Sequence, residues 1–392
     1  MATKAGVGFS GNPKAADAGK EATIEAIKAL GNPGLLIVFG SINYDQKELL
    51  DGIRQVNNNA PLIGCSDAGE ISNGGSREKG VVVMAIESDS INFTIGTGGK
   101  VSDGTREAGV KLAKDIVGKT DGKMNCLIML TDVLSGNGAD IVRGIQDELG
   151  KDFLIVGGAA GDDFLFKETF VYYNDSILPS SIVGAGLSGN FAIGVGVRHG
   201  WVPIGLPKKV TKSQGAVLEE LDGKPAVSIY EEHFGRKAED LRKEPLAIMA
   251  ITYPLGMSVE GSDELLIRDP ITVDDKGAIT CAAEIPVGSD IRLMIGSREE
   301  AVMAAKEAAT HALEGLNGSK PRAAIIFNCI ARYKLLGRAA NEEIEAIQSI
   351  LGPEVPLIGF YTYGEQAPLG GDMQKKFSCF HNETAVILVL GD

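Results

Sequence analysis

The residues best suited to chemistry fall in copies of one short pattern. Pro61-Leu-Ile-Gly-Cys-Ser-Asp-Ala-Gly-Glu70 is nearly rewritten as Pro356-Leu-Ile-Gly-Phe-Tyr-Thr-Tyr-Gly-Glu365, and Phe153-Leu-Ile-Val-Gly-Gly-Ala-Ala-Gly-Asp162 is a blurred third copy. Each is an apolar run that meets glycine, passes through a few variable residues and ends in Gly plus an acid. Glu70 and Glu365 could hold an ammonium group. Asp67, Tyr361 and Tyr363 stand in the variable turns, where they could read a ligand's side chain or face solvent. Phe327-Asn-Cys-Ile-Ala-Arg332 adds a cation. A guanidinium grips a carboxylate through two parallel hydrogen bonds, so Arg332 with the two glutamates suits a zwitterion such as an amino acid. The competing reading of Arg332 is an internal salt bridge to Glu365 or Glu70, and that of each glutamate is a cap on a backbone turn.

Two cysteines share the neighbourhood. Cys329 ends an apolar run, and an arginine three residues on would favour its thiolate; it reads equally well as a small buried hydrophobe. A nucleophile needs a base in reach, and no histidine is near it in sequence. Cys65 stands at the comparable point of the first copy and carries the same two readings. Of the four histidines (199, 233, 311, 381), His199 or His381 could serve as a single axial haem ligand, although there is no CxxCH attachment sequence. Gly96-Thr-Gly-Gly99 and Gly157-Gly-Ala-Ala-Gly161 lack the context that a phosphate-binding loop requires. Metalloprotease, hydrolase-elbow and kinase signatures are also missing.

The elements that must position these residues repeat in order. An apolar run closed by Gly reads as a buried strand entering a sharp turn. A strand over 5–10, a helix over 14–30, a strand over 35–40, a helix over 45–56 and a strand over 61–64 make the first pass, with a further strand over 81–86. Strand 91–96, helix 104–117, strand 126–130, helix 139–149 and strand 153–157 make the second, with a strand over 169–173. A third pass is expected to begin at strand 291–296 and to continue through helix 298–315, strand 323–327, helix 338–351 and strand 356–359, closed by strand 384–390. Between the second and third passes, Gly-rich strands 182–187 and 191–197 read as a hairpin turning at Ser188-Gly-Asn190. Strands over 210–212, 246–252, 271–274 and 278–284, and a short helix over 226–234, complete the stretch. The charged segment 237–244 reads as a linker, dividing the chain into regions 1–236 and 237–392. The predicted fold is α/β: duplicated βαβαβ-type units with β-hairpins, their mixed sheets covered by helices.

Composition sets outer bounds. The 392 residues suffice for two or three domains, and a hydrophobic content of 44% is ordinary for a globular chain. No apolar run approaches the roughly 20 residues of a membrane span, and the N-terminal residues lack a signal-peptide core. A net charge of −14 opposes nucleic-acid binding. Five widely spaced cysteines favour free thiols in a reducing cytoplasm over a disulfide framework.

The chain resembles the FIST family of sensory modules nearly end to end. The carrying residues are Ala60 to Glu70, His199-Gly-Trp-Val-Pro-Ile-Gly205, Val210-Thr-Lys, and Glu220-Leu-Asp-Gly-Lys-Pro-Ala226. Phe327 to Arg332, Asn341-Glu-Glu, Pro356 to Glu365 and His381-Asn-Glu-Thr384 continue the match in the family's order. The resemblance implies a bacterial or archaeal, cytoplasmic, non-enzymatic protein that binds a small ligand, with amino acids suggested, in signal transduction. Some members are fused to kinase, cyclase or chemoreceptor outputs, a subset resembles haem-based nitric-oxide sensors, and a eukaryotic branch carries an F-box. This chain shows no such output region, so the resemblance implies a separate signalling partner such as a histidine kinase or cyclase. The ligand-binding residues expected are Arg332, Glu365, Cys329, Glu70, Asp67, Cys65 and Tyr361, with no resident cofactor; a haem sensor or a cysteine-dependent enzyme is the alternative.

Overall fold

The computed structural model describes residues 3–235, 238–243, 246–260, 262, 264–371, 373 and 377–392. Three units follow one plan. The first runs through strand Lys4–Ser10, helix Ala15–Ile27, strand Leu35–Ser41, helix Gln46–Val56, strand Leu62–Asp67 and a closing strand Val81–Glu87. The second repeats it with Ile91–Lys100, Thr105–Val117, Met124–Thr131, Gly138–Leu149, Ile155–Ala159 and Ser181–Gly189. The third uses Ala192–Arg198, Arg298–Gly315, Pro321–Cys329, Ala340–Leu351, Leu357–Thr362 and Ala385–Gly391. In every unit the closing strand lies antiparallel between the first and second strands, and the second and third are parallel. Mixed sheets carrying helices on one face are what the sequence predicts.

The expected start of the third unit is displaced. Its first strand is Ala192–Arg198, whereas Asp290–Ile295 belongs to a different sheet. Residues between 202 and 295 are an insertion that separates that first strand from its helix. The stretch around Ser188-Gly-Asn190 is accordingly not a hairpin: Ser181–Gly189 closes the second sheet and Ala192–Arg198 opens the third. Alternation and glycine content are alike in both strands, so local pattern cannot distinguish a turn within a sheet from a turn between sheets.

The parallel pairs explain the repeated glycine. A Cβ on Gly64 would come within 2.2 Å of the Val38 carbonyl oxygen, on Gly157 within 1.9 Å of Met129 O, and on Gly359 within 2.5 Å of Ile326 O. Only a residue without a side chain allows that approach. Each parallel pair is then flanked by a strand from another unit. Glu70–Ser72, leaving the first unit, pairs with Leu357–Thr362 of the third; Glu365–Pro368, leaving the third, pairs with Ile155–Ala159 of the second; Phe170–Tyr173, leaving the second, pairs with Leu62–Asp67 of the first. The exchange is cyclic, so no unit has a complete sheet of its own.

The three sheets enclose one apolar core, where Phe39, Phe327 and Phe360 meet with ring centroids 4.3 Å (Phe39–Phe360) and 6.1 Å (Phe327–Phe360) apart. Helices cover the outside. Ser297 caps Arg298–Gly315 by accepting from Glu300 N–H at 3.2 Å, and the alanine face of this helix packs on Ala192–Arg198.

The insertion is an antiparallel sheet in the order Leu266–Arg268, Leu255–Met257, Asp290–Ile295, Val202–Gln214, Val217–Leu221, Ile279–Cys281, Pro270–Val273, with Lys224–Pro225 beside Val217–Leu221. It has its own core, including Val210, Tyr230, Leu241, Leu255, Ile279 and Leu293. The residues expected as strand 246–252 form the helix Leu246–Ala250, where Leu246 is buried. The charged segment expected as a linker contains the helix Ala238–Lys243, whose Leu241 joins that core; residues 236, 237, 244 and 245, and with them the expected boundary at 236/237, lie outside the described residues. No helix among the described residues is long and apolar enough to cross a membrane.

Candidate ligand-binding site

The three glycine–acid turns converge. Ala68 N–H donates to Tyr361 O at 3.2 Å and Tyr361 N–H to Gly69 O at 2.9 Å; Ala159 N–H donates to Gly364 O at 2.8 Å; Gly161 N–H donates to Ser66 O at 3.0 Å. Gly69 and Gly364 take φ of 130° and 147°, which a side chain would strain. The acid of each copy then holds backbone. Glu70 accepts from Gly80 N–H at 2.8 Å, just before the first closing strand, and Glu365 accepts from Thr384 N–H at 3.2 Å, just before the third. Asp162 accepts from the N–H groups of Phe166, Lys167 and Glu168 at 2.6–3.0 Å, and also from the Tyr363 hydroxyl.

All seven sequence-designated residues are buried. Arg332 lies on the short helix Ile330–Leu336, three residues past the end of strand Pro321–Cys329, and is fully enclosed. Its salt-bridge partner is Glu343, at 2.9 Å from Nε and 2.5 Å from Nη2, in place of Glu365 or Glu70. Nη2 also donates to Ala301 O at 2.7 Å, and Nη1 to His199 O and to Glu383 O, the latter at 3.4 Å. A guanidinium has five N–H donors, and these contacts use them all. Glu365 is pushed up to about 8 by burial. Its Oε1 accepts from the Thr362 hydroxyl.

Glu70 and Asp67 form a separate acidic pair at the first turn. Asp67 Oδ1 accepts from Gly69 N–H at 3.0 Å, while Asp67 Oδ2 and Glu70 Oε2 have no partner among the described residues. Burial raises both, Glu70 to about 8 and Asp67 well above the usual range, with their mutual repulsion adding to Asp67. Two buried carboxyls so placed retain a proton. Tyr361 sits within its strand, not in the turn, packing its ring 4.6 Å from that of Tyr333. Cys329 and Cys65 are buried thiols, and burial holds both far above the ordinary thiol range. Beside Cys329 the carboxyls of Glu365, Asp269 and Glu383 push the same way, so Arg332 does not generate a thiolate. The turns meet, but Arg332 and Glu365 belong to one cluster and Glu70 with Asp67 to another. None of the seven lines the cleft described next.

That cleft, of about 1080 Å³, lies at the seam between the insertion and the third unit. One wall is the insertion, with Ser258, Glu264, Leu265, Arg292 and Met294. The other is helix Arg298–Gly315, with Glu300, Met303, Lys306 and Glu307. His199-Gly-Trp201 forms its floor. Arg198 is committed to Glu264 at 2.9 Å and Glu307 at 2.9 Å. Arg292 and Glu300 have no ion-pair partner among the described residues and contribute one cation and one anion to the lining. Sequence reasoning singled out the His-Gly-Trp segment but not Arg292 or Glu300. Nothing marked them, since they sit in ordinary strand and helix surroundings and are brought together only by the insertion.

The two histidines considered as axial haem ligands are each held by a hydrogen bond at one ring nitrogen. His199 Nδ1 accepts from Trp201 N–H at 2.9 Å, so the proton of the neutral ring sits on Nε2; His381 Nε2 faces Ala367 O at 3.1 Å and donates to it. Burial keeps both rings neutral, lowering His199 to about 3 and His381 to about 4. As bonded here, the Nε2 atoms carry the protons, and the lone pair of His199 is used by Trp201 N–H. No group of three or more metal-ligating side chains with metal-binding geometry occurs among the described residues.

The FIST N domain matches residues 34–224 and the FIST C domain residues 226–368. The chain belongs to the FIST family, whose domains are sensory domains of signal-transduction proteins. It is 26% identical over 381 residues to the uncharacterized protein Rv0628c of Mycobacterium tuberculosis, covering 93% of this chain and 95% of that one. It is 24% identical over 388 residues to the uncharacterized protein Mb0898c of Mycobacterium bovis, covering 93% and 94%. The uncharacterized protein MJ1623 of Methanocaldococcus jannaschii is 30% identical over 218 residues, 53% of this chain and 42% of that protein. Among solved structures, that of PurLQS from Thermotoga maritima aligns over 99% of this chain and 72% of its own at 9% identity, with a TM-score of 0.23, too low to establish a shared fold.

Proposed function

We propose that this chain is a sensory protein whose small ligand, a free amino acid or a close zwitterionic relative, binds in the seam cleft. The observation that carries the reading is that one cleft of about 1080 Å³ is lined by both a guanidinium, Arg292, and a carboxylate, Glu300, neither with an ion-pair partner among the described residues. Arg292 suits the ligand's carboxylate and Glu300 its ammonium, with Leu265 and the exposed Met303 offering apolar surface. Clefts between two structural bodies are favoured ligand sites, and occupancy here would alter how the insertion sits on the third unit. Family membership supports the sensory role. The signal would pass to a separate protein such as a histidine kinase or cyclase, in the cytoplasm.

Thermal-shift screening of the amino acids, followed by calorimetry, tests this. A ligand at 100 times its Kd adds about 2.7 kcal/mol of stability, and Arg292→Gln is expected to abolish the shift. A folded protein whose transition moves with none of them would remove the amino-acid reading.

A further inference from the structure

The chain passes between body and insertion at two crossings, and away from them Arg143–Glu284 at 2.5 Å and Arg268 Nη1 donating to Phe380 O at 3.3 Å also tie the two together. The chain leaves by His199-Gly200-Trp201 and returns by Gly296-Ser297 into helix Arg298–Gly315. We propose that Arg332 is a hinge clamp: its one guanidinium fastens both crossings to the third unit and so sets the width of the seam cleft. This rests on reading that cleft as the ligand site and assigns Arg332 a positioning role behind it.

The crossings lie against each other. A Cβ on Gly200 would meet Glu300 O at 2.8 Å, and one on Gly296 would meet Trp201 Nε1 at 2.3 Å. Arg332 touches both. Nη1 donates to His199 O on the outgoing crossing, and Nη2 donates to Ala301 O at 2.7 Å in the first turn of the returning helix. The guanidinium carbon is 5.6 Å from the centroid of the Trp201 ring, within the range at which a cation is attracted to an indole face. Trp201 in turn donates from Nε1 to Ile251 O at 3.2 Å, inside the insertion.

The clamp is itself held rigid. Glu343 takes Nε and Nη2, and its second oxygen accepts from Asn328 Nδ2 at 2.6 Å. Because the guanidinium is a planar fork, fixing one edge fixes the directions of the remaining donors. The two carbonyls are therefore set relative to one another. An ammonium, with its donors on a single nitrogen, can answer Glu343 but cannot span both crossings.

The test is a distance measurement across the empty cleft, in the full chain. Spin labels are placed on Met303→Cys, on the helix wall, and Ser258→Cys, on the insertion wall. Both parent residues are exposed, and Cys379→Ser removes the one cysteine that is not buried. The parent should give one narrow distance peak. Arg332→Lys is expected to lose that peak and spread toward longer distances, with Trp201 more readily quenched by acrylamide. Should Arg332→Lys fail to fold, the paired replacement Arg332→Met with Glu343→Met removes the buried charges together, a change that proteins often tolerate; it too should spread the distribution. A parent-like narrow peak in either folded variant overturns the clamp. No ligand is used, so this outcome is independent of the amino-acid screen.

Discussion

The three-unit body and the inserted sheet are built on opposite principles. In the body every sheet borrows a strand from a neighbouring unit, and three sheets share one core. The strands of the insertion pair only with one another and enclose their own core; two crossings join the insertion to the body, and the ion pairs Arg143–Glu284 at 2.5 Å and Arg198–Glu264 at 2.9 Å tie it down. The body is therefore one interlocked frame, and the insertion is a separately built sheet seated on it. The candidate ligand site lies where the two meet.

The contrast is broken most severely by cutting the chain between residues 224 and 226, where the two family domains abut. The first fragment would lose Glu365–Pro368 from its second sheet, and the second would lose both Ala192–Arg198 and Glu70–Ser72 from its sheet. Neither fragment alone should show a cooperative thermal transition by circular dichroism, while co-expression should restore one. Replacing residues 202–295 by a short linker is the converse experiment, and the remaining body should still unfold cooperatively.

Next in size is the buried Arg332–Glu343 pair. Glu343→Gln leaves a guanidinium without its counter-charge in a dry interior, a loss of about 3–5 kcal/mol measurable by denaturant unfolding. Gly157→Ala should cost about 1–3 kcal/mol, because the new Cβ is directed at a backbone carbonyl that cannot move aside.

A pH dependence localised to the body's turns is also expected. Burial raises both Glu70 and Glu365 to about 8 from an ordinary value of 4.5. The folded state thus binds protons that the unfolded state releases. Their stabilising contribution is complete below pH 4.5 and is lost as pH rises through 8. Glu365→Gln should flatten that part of the stability profile; an unchanged slope would show that Glu365 does not hold a proton near neutrality.

Much of the body was legible because its signals are local. Apolar runs closed by glycine, helices at amphipathic spacing and the three-fold recurrence of the Gly-acid turn mark strands, helices and units directly. Order in sequence could not reveal strand exchange, since pairing of Glu70–Ser72 with Leu357–Thr362 is a relation between distant segments. The insertion hid the first strand of the third unit by moving it ninety-odd residues from its helix, so a similar apolar run at Ile291 takes its place in the sequence reading. Arg332 was marked as important, but its partner Glu343 lies eleven residues on, in the next long helix, with nothing in the local pattern to choose it over Glu365. Leu246–Ala250 reads as a strand from its apolar content alone and is a helix in the structure.

Trp201 is the chain's only tryptophan and sits in the floor of the seam cleft, so its emission reports on that site alone. Titrating the full chain with each amino acid while following that emission tests the central claim most directly. A saturable change with at least one of them, abolished by Arg292→Gln and by Glu300→Gln in folded protein, is the result predicted. Saturable binding that leaves Trp201 emission unchanged and survives both substitutions would place the ligand elsewhere and contradict the account.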